Sequence, residues 1–91
     1  MVIGYLLIRR SRKVLAVDFD SVKVLFHTGT RIPYILNPAA ADIWDFCSRP
    51  RRLDDIIRYL AEEYGIGIST AKKDAVKFIN ELEKRKLVEF E

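Results

Sequence analysis

Residues 22–47, VKVLFHTGTRIPYILNPAAADIWDFC, decide the fold, because the hydrophobic period changes inside them. Val22, Val24 and Phe26 alternate with Lys23, Leu25 and His27. That period of two marks a strand with one buried face and one partly wet face. Thr28-Gly29-Thr30 reads as a turn with a glycine free to adopt positive φ, and residues 31–36 as the next strand. At Asn37-Pro38 the pattern switches. Asparagine is a strong N-cap, and proline at the first helical position lacks only an N–H that would have no intrahelical partner. Ala40, Ile43, Trp44 and Cys47 then recur at helical spacing. An extended half gives way to a helical half at residue 37.

Upstream, residues 13–19 read as a strand turning at Asp20-Ser21. Residues 5–9 read as one more, with Arg10-Ser11-Arg12 as its turn. Pro33 cannot donate a ladder hydrogen bond, which places residues 31–36 at a sheet edge or makes that strand irregular at its middle. Downstream, the first helix should stop around Ser48-Arg49-Pro50, since a residue before proline avoids the α region. A second helix is expected from about Leu53 to Tyr64. Leu53, Ile56, Ile57, Leu60, Ala61 and Tyr64 share one of its faces, Asp54 and Asp55 suit its positive end, and Gly65 closes it. Ser69 is the expected cap of a third helix over residues 70–86, with Ala71, Ala75, Phe78, Ile79 and Leu82 as its apolar stripe. Residues 87–90 read as a final extended segment. The expected class is α+β: a small antiparallel sheet of three to four strands (1–36) followed by three helices (37–91), winged helix-turn-helix-like and in one domain.

Composition narrows the function. Hydrophobic residues make up 49% and charged residues 32% of the 91, the mix of a folded soluble domain and not of a disordered tail. The longest early apolar run is far short of the ~20 residues needed to span a bilayer. The arginines near residue 10 follow that run, whereas a signal peptide carries them in front, so a cytoplasmic protein with no membrane association is expected. Net charge is +3, but unevenly spread: residues 1–52 carry nine Lys/Arg against four Asp, and residues 53–91 seven against nine acids. Basic clusters at residues 9–13 and at Arg49, Arg51 and Arg52 fit a nucleic-acid or acidic-peptide surface, though a solvated turn and loop are the commoner meaning.

Catalysis is poorly provisioned. His27 and Cys47 are the lone histidine and thiol, in different elements. Cys47 falls on an apolar helix face, where a packed inert thiol is the default, and His27 reads as a solvated strand-end residue. A single histidine and cysteine make no metal site. Asp54/Asp55 and Glu62/Glu63 are sequence neighbours that diverge on a helix, and Gly65-Ile66-Gly67 lacks the rest of a dinucleotide fingerprint. The chain is expected not to be an enzyme and to use no cofactor.

Two binding surfaces compete. The third helix of a winged helix-turn-helix would turn Lys73, Lys77, Asn80 and Lys84 to solvent, where they could meet phosphates and a base. That face has no arginine, the commonest guanine reader, so DNA binding by a transcription regulator is the alternative reading. The edge strand, with Ile32, Tyr34 and Ile35 beside a helix, suits a guest peptide added as a further strand. Pro33 as a guard against such pairing, or a homodimer through that same edge, are its other readings.

The stretch ILNPAAADIWDFC, RLDDIIRYLAEEYGI and TAKKDAVKFINELEKRKLV resembles the PqqD family, named for pyrroloquinoline quinone biosynthesis protein D, whose fold is the RiPP recognition element. Leu36-Asn37 precede the first helix, Ile43-Trp44 form an aliphatic–Trp pair within it, and Tyr64 ends the second. Asp74-Ala75-Val76, Phe78-Ile79, Leu82 and Leu87-Val88 follow the pattern of the third. Lys86 stands where the family pattern has glycine, Ala75 and Val76 shift its Asp-Val register, and Pro33 interrupts the edge strand. The resemblance implies a non-catalytic peptide chaperone. It would capture the leader segment of a ribosomally made precursor and present it to a modifying enzyme, often a radical SAM protein, in a biosynthetic pathway. The implied groove lies between the last strand and the third helix. Its strand wall would be Arg31, Ile32, Tyr34 and Ile35; its helix wall Asp74, Lys77, Phe78 and Glu81, with Arg85 beyond. Tyr34 and Phe78 would receive apolar leader side chains, and Arg31 or Lys77 acidic ones. Asp74, Glu81 and Arg85 share a helix flank, so pairing among themselves is their competing role.

Overall fold

A computed structural model describes residues 7–91. Six strands and three helices follow one another as β1 Leu7–Arg10, β2 Val14–Phe19, β3 Val22–His27, β4 Pro33–Leu36, α1 Pro38–Phe46, β5 Arg51–Arg52, α2 Leu53–Tyr64, α3 Ile68–Lys84 and β6 Val88–Phe90. The α+β reading and the order of sheet before helices hold. The single small sheet does not: there are two three-stranded antiparallel sheets, ordered β5-β1-β6 and β2-β3-β4. The early strand pairs with β5 and β6, opposite Arg51–Arg52 and Val88–Phe90, and belongs to a different sheet from the hairpin. It runs over Leu7–Arg10, so the expected start at residue 5 lies outside the described residues.

The β2–β3 hairpin closes on Asp20-Ser21, both at positive φ (51° and 69°), the primed turn whose twist matches the flanking strands. The β3–β4 connection departs from expectation. Its left-handed residue is Arg31 (φ 61°), and no positive φ falls at Gly29. Gly29 suits the turn for a different reason: a Cβ there would lie 3.0 Å from the His27 ring, which would have to shift to admit it. That ring is buried at 8% exposure, not solvated, and its Nδ1 accepts the Gly29 N–H at 3.0 Å, pinning the turn. Pro33 is the first residue of β4, where a missing N–H is tolerated.

Asn37 caps α1 as expected, its Oδ1 accepting the Ala40 N–H at 2.8 Å. Asp55 accepts the Arg52 N–H at 3.3 Å to open α2, and Gly65 closes it at φ 60°. The start of α3 differs: Gly67 is the N-cap, and Ser69 already lies inside the helix. Its end also differs, at Lys84. Lys86 turns left-handed (φ 61°), its N–H bonds Glu83 O at 2.9 Å, and Leu87 N–H bonds Leu82 O at 2.9 Å. This is a Schellman closure, which explains why glycine suits position 86.

One core joins these parts, with Ile8, Leu25, Leu36, Trp44, Ile56, Leu60, Ile79, Leu82 and Leu87 buried together. The basic clusters are largely absorbed by it. α1 has no basic residue in its last turn, and two arginines from elsewhere supply the deficit. Arg10 donates to Trp44 O (Nε at 3.0 Å) and stacks 4.6 Å over the Trp44 ring. Arg51 donates to Phe46 O at 2.8 Å and stacks 4.0 Å over the Phe46 ring. Arg9 pairs with Glu89 and Glu91 on β6 and just beyond it. Cations at helix carbonyls and over aromatic faces satisfy charge locally, so these clusters read as structural. Among the described residues no helix is long and apolar enough to cross a membrane.

Candidate peptide-binding groove

The site follows from β4. Its register, Leu25 opposite Tyr34 and Lys23 opposite Leu36, puts Tyr34 and Leu36 on the helix-facing side and Pro33 and Ile35 on the other. β4 ends its sheet, so one flank pairs with β3 and the other, among the described residues, pairs with no strand. α3 runs beside that flank. Between them lies a hollow of about 630 Å³ lined by Tyr34, Asn37, Ala40, Ile43, Leu60, Tyr64, Ile66, Asp74, Lys77, Phe78 and Glu81, with Ala39 at its mouth. A second hollow of about 250 Å³ continues past Tyr34 and is lined by Thr30, Ile32, Lys84, Arg85, Lys86 and Leu87. Tyr34 belongs to both, and Arg85 stacks 4.5 Å over its ring, so this pair forms the sill between them.

Apolar walls and charged rims divide cleanly. The floor is Ala40, Ile43 and Leu60, all buried, with half-buried Phe78 and Ile66 above it. Glu81 accepts from Arg85 at 3.0 Å, so that part of the helix flank pairs with itself. Asp74 and Lys77 form no ion pair among the described residues. They are charged residues on the lining of the hollow.

Tyr64 closes one end. Its hydroxyl donates to the Asp42 carboxylate, tying the end of α2 to α1. That bond, and secondarily desolvation, pushes its pKa up to about 12. Cys47 is buried at the C-terminus of α1, and desolvation pushes its thiol up to about 11, against thiolate chemistry.

Of the residues expected at the groove, Tyr34, Asp74, Lys77, Phe78 and Glu81 line the larger hollow and Ile32 the smaller. Arg31 lines neither, and Ile35 points its side chain to the opposite sheet face, 67% exposed, leaving only its main chain at the edge. Asn37, Tyr64 and Ile66 were not among the expected residues. The signal for Ile66 was present in Gly65: a left-handed closure swings the next residue back, and the Ile66 N–H returns to Ala61 O at 3.2 Å.

Residues 23–88 match the family model described as Coenzyme PQQ synthesis protein D (PqqD). The chain belongs to the PqqD family. TbiB1, solved in complex with the TbiA(beta) leader peptide, shares its fold with a TM-score of 0.81 at 25% identity, over 89% of this chain and 94% of that one. A lasso peptide synthetase B1, complexed with its leader peptide, has the same fold with a TM-score of 0.74 at 20% identity, over 90% and 96% of the two chains. No curated protein sequence matches significantly. The match to the PqqD model takes in β4, the helices and the closure at Lys86, which are the walls of the groove.

Proposed function

We propose that this PqqD-family protein binds the leader segment of a ribosomally made precursor peptide and presents the precursor to a modifying enzyme, itself performing no chemistry. The observation carrying this reading is the flank of β4, unpaired among the described residues, lying along an apolar trough walled by α3. A peptide entering as a fourth strand beside β4 takes affinity from main-chain hydrogen bonds and specificity from alternate side chains. Tyr34 and Phe78 offer apolar seats for those side chains, and Lys77 and Asp74 select charge at the rim. That TbiB1, with the same fold, was solved holding a leader peptide supports the reading. The modifying enzyme we propose is of the radical SAM class, the partner that the resemblance to the PqqD family implies.

Isothermal titration with the synthetic cognate leader tests this. Tyr34→Ala and Phe78→Ala are each expected to weaken binding about tenfold or more, since each removes roughly 1.5–3 kcal/mol of apolar burial. Unchanged affinity in both variants would remove the groove from the account.

A further inference from the structure

The sheet β2-β3-β4 has a second face, turned away from the helices, and among the described residues nothing covers it. Every outward position there is apolar, and no charge interrupts the pattern. Val17, Val24 and Ile35 form a row straight across it, with Phe19 at one end and Leu15 at the other. Phe19 is 69% exposed, Ile35 67% and Leu15 61%. The patch amounts to roughly 500 Å² of apolar surface, within the range of about 300–600 Å² of the largest and often functional patch of a monomer, and more than half of the ~800 Å² on one side of a stable interface.

We propose that a second copy of the chain covers this face. The argument is charge placement. Asp20, at the β2–β3 turn, marks one end of the face, and Arg12 and Lys13, just before β2, mark the other. A two-fold axis parallel to the plane of the sheet, midway between the two copies and perpendicular to the strands, lays β2 over the partner's β2 in reverse. Acidic end then meets basic end twice, Phe19 meets the partner's Leu15, and the Val17–Val24–Ile35 row packs on itself along the axis. A self-complementary patch is what an isologous dimer needs, and two sheets packing face to face bury such rows well. Strand edges lie in the plane of the sheet, so both β4 edges stay open. The dimer carries two grooves, and the inference stands whether or not these bind a leader.

Sedimentation equilibrium of the full chain, from low micromolar to ~0.5 mM, is the test. The mass is expected to rise with concentration towards twice the 10.6 kDa of one chain. Val17→Glu sets two carboxylates together at the axis and is expected to hold the chain at the monomer mass with its circular dichroism unchanged. Lys13→Asp is expected to weaken association roughly three- to fivefold at low salt, and adding Asp20→Lys to recover it. The pair of charge swaps keeps the test valid should Val17→Glu disturb folding. A monomer at every concentration overturns the proposal. So does a dimer that the Val17 and charge variants all leave intact, and so does a monomer whose Val17→Glu variant loses only its modifying enzyme, which would assign the face to that enzyme.

Discussion

Lys86 holds a left-handed backbone at φ 61°, a conformation that costs a side-chain-bearing residue about 1 kcal/mol relative to glycine. Position 86 is C′ of the Schellman closure of α3, fixed by the Leu87–Leu82 bond, so the strain cannot relax without freeing β6. Lys86→Gly is therefore expected to stabilise the protein by about 1 kcal/mol, read as a higher urea midpoint with unchanged slope. A lower midpoint would contradict the closure. Tyr64 gives a pH-dependent counterpart. Its folded pKa, about 12, lies above the ordinary 10, so between those values the folded state keeps a proton that the unfolded chain has released. Stability from the Tyr64–Asp42 bond is complete below pH 10 and lost as pH rises towards 12. In Tyr64→Phe that alkaline loss should shrink, whereas an unaltered slope of stability above pH 10 would deny the bond. Cys47, with its thiol near 11, should resist iodoacetamide at pH 8 until the protein is denatured.

At the scale of elements, the first two helices were legible because a 3.6 period agrees with a proline-marked start in α1 and with a closing glycine in α2. The start of α3 was misplaced because Ser69 looks like a cap. The chain instead enters the helix at Gly67, whose extended backbone (ψ 153°) lets its carbonyl accept the Ala71 N–H at 2.9 Å with no side-chain cap. The division into two sheets was not legible. β5 is two arginines long, carries no alternation to read, and exists only because β1 offers it an edge. The groove wall on α3 was legible through the family pattern, while the direction of Ile35 required the register opposite Val24. Arg10 shows how far apart linked elements can be. It leaves β1 to meet the last carbonyls of α1, 34 residues on, and stacks on Trp44. Arg10→Ala is expected to cost about 1–2 kcal/mol in chemical denaturation, against nearly nothing for exposed Arg12→Ala. Equal effects would mean that the arginine cap contributes nothing.

For the molecule as a whole, position in the fold separates three kinds of surface. Arg10 and Arg51 serve the packing of α1, the outward face of β2-β3-β4 is apolar without interruption, and the trough between β4 and α3 combines a strand edge that is open among the described residues with apolar walls. The trough is the part with both the hydrogen-bonding groups and the pockets that an extended peptide needs. The most direct measurement is an amide NMR titration of the full chain with its cognate leader peptide. Strand addition predicts that the signals of residues 31–36 and 73–81 move together and saturate at one peptide per chain, with β4 amides gaining protection from exchange. Shifts confined to the segment around Arg49–Arg52, with β4 unmoved at saturation, would contradict it.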